Sequence, residues 1–510
     1  VYKRQEQGND VYENQELPIA ASDVDCILLT HAHIDHSGLI PLMYVNGFRG
    51  QVYSTSATAQ LCEIMLRDSA HIQMFEAEWR NRKAARSGGK LKEFVPLYDM
   101  DAAVNVCKQF VGCEYDRVYD IAEGIKIRFT DVGHLLGSAS IEVWATEKTE
   151  NGDVTEKIVF SGDIGNINKP IIKDPKHVRD ADYVVMESTY GNRSHGGTPN
   201  YVEDLTDIFK RTFERGGNVV IPSFAVGRTQ ELLYIIRKIK EDNLVGRDFD
   251  VYMDSPLAIE ATNIFIKNVE SCFDDDAVEL VRKGINPLSF PGLKYATTGD
   301  ESKQINFDPN PKVIISSSGM CEAGRIRHHL KHNLWRPECT IVFVGYQAVG
   351  TTGRIIVDGA EEIKLFGEPI QIKAEIVQLR GSSGHADKDG LLCWINAFDT
   401  KPKKVFVVHG EDSVCDEFTE CLKEEYGYDA MAPYTGGSYD LIADRVISEG
   451  VKERKTRRTT STQRGKTVFD RLVAAGKRLM TVITHNEGGT NKDLAKFTDQ
   501  INALCDKWDR

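Results

Sequence analysis

The stretch that decides the fold is Thr30-His31-Ala32-His33-Ile34-Asp35-His36-Ser37-Gly38, which directly follows the apolar run 26–29. It holds three histidines and one aspartate within six residues, a density that packing does not explain. In an extended loop, His31 and His33 project to one side, whereas Asp35 and His36 can reach another. Imidazole nitrogen and carboxylate oxygen are standard zinc ligands, and mixed sets of this kind are typical of catalytic sites. The motif therefore indicates metal binding, and it suits two adjacent ions better than one.

Short apolar, β-branched runs recur along the chain and stop abruptly at polar or glycine residues. Continuously apolar runs of this length are typical of strands buried on both faces. They occupy 26–30, 158–160, 183–186, 219–221, 313–315 and 405–408. Helical periodicity lies between them, as at Leu232, Leu233, Ile236 and Ile239. Strands that alternate with helices predict an α/β protein whose functional groups gather at the carboxyl ends of strands.

Length and composition bound the class of protein. A chain of 510 residues is too long for one core and predicts two or three domains. The net charge of −13 excludes a basic field over the whole surface, although local basic patches remain open. No run approaches the 18 apolar residues of a membrane span, so we expect no membrane partner. The eleven scattered cysteines contain no Cys-x-x-Cys pair, which favours reduced thiols and a cytoplasmic location.

Further candidate metal ligands follow other predicted strands. They are His134 in Thr130-Asp-Val-Gly-His134, Asp163 in Ser161-Gly-Asp163, and His409 in Val408-His-Gly410. Taken singly, each of these residues is more often a turn or capping residue than a ligand. A site with two metals nevertheless needs such additions, and above all a carboxylate that bridges the two ions.

The order His-x-His-x-Asp-His, then a lone histidine, then Ser-Gly-Asp resembles the metallo-β-lactamase superfamily. Three further features are similar to motifs A, B and C of its β-CASP branch of RNA-processing nucleases. They are Glu187 in Glu187-Ser-Thr-Tyr-Gly191, His385 in Ser383-Gly-His-Ala-Asp387, and His409. The pattern is closest to the prokaryotic relatives of the pre-mRNA cleavage and polyadenylation endonuclease, and it covers about residues 5–440.

The resemblance implies a four-layer αββα metallo-β-lactamase fold with an inserted α/β β-CASP domain. The expected segments are 1–194 for the first part of the lactamase domain, 195–375 for the insertion, 376–440 for the return segment and 441–510 for an extension. Within the extension, 452–466 is predicted to be a basic tether and 467–510 to be helical. Because the chain opens on Val1 instead of Met, we expect a truncated fragment that lacks the first strands and their aspartate motif.

The resemblance also implies a ligand set and a mechanism. One zinc ion would be held by His31, His33, His134 and Asp163, and the other by Asp35, His36, Asp163 and His409. Asp163 would bridge the two ions, a hydroxide between them would attack phosphorus, and His385 would be the general acid, oriented by Glu187. The same ligands also admit manganese.

Several polar side chains are candidates for contacts with the RNA backbone. They are Ser317 and Ser318 in a glycine-rich turn, together with Arg228, Arg325 and Arg354, although such arginines could equally form structural ion pairs. His328 and His332 have i,i+4 spacing, and without a third ligand we interpret them as residues of a helix face. Residues 80–92 are predicted to form an exposed basic loop.

The predicted function is that of a zinc-dependent RNA phosphodiesterase, and we expect an endoribonuclease that cuts single-stranded RNA. Three alternatives stay open at this point. They are a 5′-exoribonuclease of the RNase J type, a small-molecule metallohydrolase, and a catalytically silent RNA-binding scaffold. Homodimers are common in the branch, which adds a homodimer to the expectations by analogy.

Overall fold

The computed structural model describes residues 10–11, 19–86, 94–150, 152–196, 200–379, 383–452, 455–456, 466–486 and 490–508. Within these ranges, no helix combines the length and the apolar character that a membrane crossing requires. The predicted apolar runs all form strands, and the periodic residues 232–239 lie in a helix, so the α/β prediction is confirmed.

The strands fall into three groups along the chain. The first group is β1 Asp10–Val11, β2 Cys26–Leu28, β3 Gln51–Thr55, β4 Phe110–Cys113, β5 Val118–Ala122, β6 Ile125–Asp131, β7 Ala139–Thr149, β8 Gly152–Phe160 and β9 Tyr183–Glu187. The second group is β10 Val219–Pro222, β11 Asp250–Asp254, β12 Leu293–Tyr295, β13 Lys312–Ser316, β14 Thr340–Phe343, β15 Glu362–Leu365, β16 Glu368–Gln371 and β17 Glu375–Gln378. The last group is β18 Lys404–Val408, β19 Ala430–Met431, β20 Ser438–Asp440, β21 Arg445–Ser448 and β22 Lys455–Thr456.

The helices alternate with these strands, and a 3₁₀ turn at Ala21–Asp23 precedes them. The first are α1 Ile34–Ser37, α2 Ile40–Val45, α3 Ser56–Arg86, α4 Met100–Cys107, α5 Tyr201–Glu214, α6 Arg228–Glu241, α7 Pro256–Lys267 and α8 Val269–Cys272. The others are α9 Asp275–Arg282, α10 Gly299–Phe307, α11 Ile326–Asn333, α12 Thr352–Val357, α13 Lys388–Ile395, α14 Asp412–Glu424, α15 Lys466–His485 and α16 Asn491–Trp508.

Two sheets face each other in the part of the chain that holds β2–β9, β18 and β19, which we name the first unit. One has the strand order β19-β18-β9-β8-β7-β6-β5, and the other is β2-β3-β4. Ile127 and Phe129 of the larger sheet share an apolar cluster with Leu28 and Tyr53 of the smaller one. Helices α3 and α4 cover the outer face of the smaller sheet, and α13 and α14 cover that of the larger one. The four-layer αββα prediction is therefore confirmed.

A sheet of parallel strands forms the second unit, with the order β12-β11-β13-β10-β14-β17. Its central strands β10, β13 and β14 are completely buried. Polar residues stand where the strands end, among them Ser223, Asp254 and Ser316. This carboxyl edge is where a parallel sheet presents functional groups.

The chain order makes the second unit an insertion into the first. The chain leaves the larger sheet after β9 and returns in β18, which pairs with β9 in parallel from Tyr183 opposite Lys404 to Glu187 opposite Val408. The predicted boundary after residue 375 falls inside β17, which pairs with β14 through Gln378. We therefore propose to end the inserted domain after residue 378, and the other boundaries stay predictions.

Two sequence-based interpretations of basic segments need correction or stay open. Residues 80–86 continue helix α3 and do not form a loop, whereas 87–93 lie outside the described residues. The tether at 452–466 is described only in part, with Lys455–Thr456 paired to Asp10–Val11. Within 467–510, where a helical segment is expected, the structure describes two helices, α15 and α16.

Candidate metal centre

The histidine motif lies directly after β2, and its backbone is not extended throughout. His31 and His33 are in irregular backbone, whereas Ile34–Ser37 form the single helical turn α1. The Ser37 hydroxyl is buried and donates to the Ala32 carbonyl at 2.9 Å, which holds the turn against the loop before it. This turn carries Asp35 and His36, so the expected division of the motif into two sides arises from a change of backbone conformation.

Three of the remaining candidate residues converge because they follow adjacent strands of the larger sheet. β8, β9 and β18 run parallel, so Asp163, Glu187 and His409 reach the same edge of the sheet. His409 has φ of 53°, in the left-handed region that costs a non-glycine residue energy. Such strain persists only where the surrounding structure fixes it, and it is concentrated at functional sites.

The first cluster contains His31, His33, His134 and Asp163, whose ligand atoms all lie within 4.8 Å of one another. His31 Nε2 is 3.4 Å and His134 Nε2 is 3.6 Å from Oδ2 of Asp163. His134 Nε2 is also 3.1 Å from His33 Nδ1. Tetrahedral zinc with bonds of about 2.0–2.1 Å places neighbouring ligand atoms roughly 3.3 Å apart, so these separations suit shared coordination.

The second cluster contains Asp35, His36 and His409, on the other side of Asp163. His36 Nε2 is 3.3 Å and His409 Nε2 is 3.5 Å from Oδ1 of Asp163. His36 and His409 approach each other to 3.2 Å between their Nε2 atoms, and Asp35 Oδ2 is 3.7 Å from His409 Nε2. The two oxygens of the Asp163 carboxylate thus face two separate sets of ligand atoms.

Two buried atoms at this centre have no hydrogen-bond partner among the described residues. They are Nε2 of His31 and Oδ1 of Asp163. A buried polar atom without a partner is costly, and native structures usually explain each such case by a bound group. The orphaned pair, together with a donor set of imidazoles and carboxylates, fits metal ions at this position.

The outer nitrogens of three histidines are held by oxygen atoms. Nδ1 of His31 lies 3.1 Å from Thr30 Oγ1, and Nδ1 of His409 lies 3.1 Å from Thr189 Oγ1. Nδ1 of His134 donates to the Gly384 carbonyl at 3.1 Å. Such bonds fix the tautomer and the orientation of a metal-ligating ring and leave Nε2 facing the metal.

Electrostatics at the first cluster favours neutral rings beside an ionised carboxylate. Burial lowers the pKa of His33 to about 3 and lowers the pKa values of His31 and His134. Burial alone would raise the pKa of Asp163, but the surrounding histidines outweigh it and hold that pKa well below its usual value. Neutral imidazole and carboxylate are the protonation states that bind metal.

His409 behaves differently as long as only protein groups surround it. Burial favours its neutral ring, but the Asp163 and Asp35 carboxylates outweigh this and raise its pKa to about 10. A metal ion held by the second cluster would therefore displace a proton from His409, and metal affinity there would increase with pH.

His385 and Glu187 form a hydrogen-bonded pair beside the clusters. His385 Nδ1 is 3.1 Å from Oε2 of Glu187, whose side chain is 1% exposed. The Ala386 N–H donates to the Ile164 carbonyl at 2.8 Å, which ties the His385 loop to the segment after Asp163. Burial alone would lower the pKa of His385, but the Glu187 and Asp163 carboxylates outweigh it and raise that pKa.

The predicted RNA contacts lie in the second unit, and some are already bound within the protein. Arg325 Nη1 is 2.7 Å from Asp254 Oδ1, and its guanidinium also donates to the Ala296 and Thr297 carbonyls. Arg325 therefore forms a structural ion pair, which is one of the two alternatives that the sequence allows for this residue. Arg354 donates to both oxygens of Asp358 at 2.8 Å on helix α12.

The other predicted contacts lie at the carboxyl edge of the second sheet. Ser317 donates to Ser255 at 2.8 Å, and Ser318 lies in the turn that follows. Arg228 forms an ion pair with Glu231 at 2.5 Å. His328 and His332 are exposed on helix α11, as predicted for helix-face residues, and they belong to none of the ligand clusters found in the described part of the chain.

Several residues at the centre escape sequence reasoning. Thr30 and Thr189 lie close to candidate residues in the chain, so a search for hydroxyl neighbours could find them. Lys169 donates to the His134 carbonyl at 3.1 Å and forms an ion pair with Glu231 at 3.0 Å. No local signal marks Lys169, because its partners are 35 and 62 positions away in the sequence.

Comparison with known protein families agrees with this architecture. Residues 229–356 match the Beta-Casp domain, and residues 369–433 match the Zn-dependent metallo-hydrolase RNA specificity domain. The chain belongs to the β-CASP family of RNA nucleases in the metallo-β-lactamase superfamily and is a metal-dependent hydrolase.

Individual relatives are similar over most of the chain. It is 34% identical over 390 residues to Ribonuclease TTHA0252 of Thermus thermophilus, in a match that covers 76% of this chain and 82% of the relative. It is 31% identical to an RNase J-like protein of Methanocaldococcus jannaschii, in a match that covers 76% of this chain and 82% of that relative. It is 32% identical to the transcription termination factor FttA of Methanosarcina mazei, over 81% of this chain and 62% of FttA. The chain therefore spans less than two thirds of FttA.

Proposed function

We propose that the chain is a two-metal phosphodiesterase that cuts single-stranded RNA internally. The observation that carries this proposal is the placement of the two Asp163 carboxylate oxygens. Oδ2 faces His31 and His134, whereas Oδ1 faces His36 and His409. A carboxylate shared in this way suits two adjacent divalent ions, and paired ions are the usual means of activating phosphodiester hydrolysis.

The metal ions are proposed to be zinc, with manganese as the alternative that the same ligands accept. His31, His33, His134 and Asp163 would hold one ion, and Asp35, His36, Asp163 and His409 the other. When bound, such ions supply Lewis acidity, which activates water and neutralises charge on the phosphate. The imidazole-rich donor set and the zinc-dependent domain matched at 369–433 both favour zinc.

His385 is proposed to act as the general acid and Glu187 to orient it. Nδ1 of His385 is engaged by Glu187, so Nε2 is the atom available to protonate the departing 3′ oxygen of RNA. The side chain of His385 is 22% exposed, which leaves it accessible to a bound substrate. The buried carboxylate of Glu187 favours the protonated ring, as a general acid requires.

RNA is favoured over small molecules by the inserted unit and by the names of the relatives. Two relatives are named as a ribonuclease and an RNase J-like protein, and a third as a transcription termination factor. A catalytically silent RNA-binding scaffold is disfavoured because every residue of both proposed ligand sets is present and close to the others. We keep Ser317 and Ser318 as proposed RNA contacts, and we assign Arg228, Arg325 and Arg354, each of which pairs with a carboxylate, to internal ion pairs. A homodimer remains a proposal by analogy, and the eleven free cysteines support a cytoplasmic location.

The test uses zinc-loaded protein and an unstructured RNA labelled at its 5′ end. We expect labelled fragments of intermediate length, which run from the 5′ end to an internal cut, and we expect them to disappear after chelation and in His385→Ala. Release of labelled mononucleotide alone would instead identify a 5′-exonuclease. Binding of two metals without cleavage of any RNA would contradict the proposed substrate.

A further inference from the structure

His134 is held in place on three sides. Its Nδ1 donates to the Gly384 carbonyl at 3.1 Å, and its main-chain N–H donates to Ser138 Oγ at 3.0 Å. Its own carbonyl accepts from Lys169 Nζ at 3.1 Å. Gly384 and Ser138 belong to the first unit. Lys169 also contacts a residue of the second unit.

Lys169 connects this ligand to the inserted unit through Glu231. Its Nζ lies 3.0 Å from Oε1 of Glu231, which belongs to helix α6. The two side chains are only 11% and 9% exposed, so both charges are largely withdrawn from water. Glu231 also pairs with Arg228 at 2.5 Å, and burial, which would raise the pKa of Glu231, is outweighed by these two cations.

The surroundings of this ion pair are apolar. Leu135 and Ile171 of the first unit share one core cluster with Val226 and Phe265 of the second. Buried ion pairs contribute little net stability compared with apolar contacts of the same size. Stability alone therefore does not account for a lysine at this position, whereas its contact with the backbone of a metal ligand does.

The same residues line one cleft between the two units. His134, Lys169, Gly227 and Glu231 all face it. Gly227, with φ of 85°, brings the start of α6 so close that a methyl group there would lie 3.1 Å from Leu135 Cδ1. Close approach of the two units thus occurs directly beside the ligand His134.

We propose that Lys169, fixed by Glu231, is a positioning residue for the metal ligand His134. The inserted unit then holds part of the metal centre in place through an ion pair. This inference rests on the metal site proposed above, and it assigns to Glu231 a role in metal affinity that is separate from any contact with RNA.

The test measures the zinc affinity of the full chain by competition with a chelator. Lys169→Met should weaken binding of the ion at the His134 cluster by about tenfold or more, the usual cost of losing a residue that supports a ligand. Lys173→Met is the matched control. Lys173 also joins the two units, with its Nζ donating to the Ser271 carbonyl at 2.8 Å, and its replacement should leave zinc affinity unchanged.

Two further variants keep the inference falsifiable if Lys169→Met folds poorly. Glu231→Gln should weaken zinc binding in the same way, and Lys169→Arg, which keeps the charge, should restore most of the affinity. Zinc affinity at the wild-type level in Lys169→Met, or equal losses in Lys169→Met and Lys173→Met, would overturn the positioning role and leave the proposed function intact. A wild-type chain that binds no zinc would overturn both.

Discussion

Nδ1 of His385 lies 3.1 Å from the buried carboxylate of Glu187, and the same nitrogen lies 3.9 Å from Oδ2 of Asp163. The same ring nitrogen is thus close to the Glu187 carboxylate and to the carboxylate whose two oxygens face the two ligand clusters. His385, the proposed proton donor, therefore lies beside the proposed metal centre but belongs to neither ligand cluster.

Replacement of His385 by alanine separates catalysis from metal binding. Because His385 belongs to neither cluster, His385→Ala should keep its zinc content while RNA cleavage falls by about 10²–10⁴-fold, the usual contribution of a general acid. Elemental analysis and single-turnover cleavage measure the two quantities. His71→Ala, which changes an exposed histidine of α3, is the control and should cleave normally. Cleavage by His385→Ala at the wild-type rate would remove the residue from the mechanism.

Asp163 and Asp35 should differ in how much metal their loss removes. Asp163→Asn weakens both clusters because each oxygen of Asp163 faces a different one, whereas Asp35→Asn affects the second cluster alone. We expect Asp163→Asn to lose most of its zinc and Asp35→Asn to retain the ion of the first cluster. The measurement is the zinc content per chain after dialysis. A normal zinc content in Asp163→Asn would contradict the bridging role.

Thr189 should support the second cluster through His409. Its hydroxyl is 3.1 Å from Nδ1 of His409, and Thr189→Val removes this contact at nearly constant volume. Zinc affinity should fall by about tenfold or more, as for other supports of ligating histidines. Thr146→Val, on an exposed part of β7, is the control. Equal zinc affinity in the two variants would show that Thr189 does not orient His409.

The first unit should lose stability in acid through Glu142. Its fully buried carboxylate accepts from Arg128 at 2.6 Å and pairs with Lys157 at 2.8 Å. Burial raises the pKa of Glu142, but these cations outweigh it and set the pKa below its usual value of 4.5. A group whose pKa is lowered by folding stabilises the protein at pH values above its unfolded-state pKa. For Glu142 this contribution decreases as pH falls below about 4.5, and it is lost once pH has passed through the lower folded-state pKa.

Thermal unfolding of Glu142→Gln measures this contribution. At pH 7 the variant should be destabilised by about 3 kcal/mol, because one partner of a buried ion pair has been removed. Its disadvantage relative to the wild type should shrink as pH falls below 4.5. Glu147→Gln, whose carboxylate lies near the end of the same strand, is the control. A disadvantage that stays constant down to pH 3 would contradict the assignment.

The strands and the ligand motif can be predicted from the sequence because the signals for both lie within a few adjacent residues. Each buried strand is a continuous apolar run, and the residues His31, His33, Asp35 and His36 are adjacent in the chain. The approach of His134, Asp163 and His409 to this motif can be expected only through the family resemblance, since their spacing alone favours turns. The structure brings Asp163 and His409 together at the carboxyl ends of β8 and β18, which both pair with β9, and His134 joins them from the segment after β6.

Other features depend on partners that are distant in the chain. Arg325 cannot be assigned from sequence because Asp254, its partner, is 71 positions away. Lys169 escapes sequence reasoning for the same reason. The basic residues at 80–86 suggest a loop because charge indicates exposure, and exposure is equally compatible with the surface of the long helix α3.

The most direct test of the central claim is cleavage of a circular single-stranded RNA by the zinc-loaded chain. A circle has no ends, so only internal hydrolysis can open it. We predict that the wild type converts the circle to a linear product, that chelation abolishes this conversion, and that His385→Ala slows it by about 10²–10⁴-fold. An intact circle, under conditions in which the same preparation binds two zinc ions and degrades linear RNA, would contradict an endonuclease and identify an enzyme that requires an RNA end.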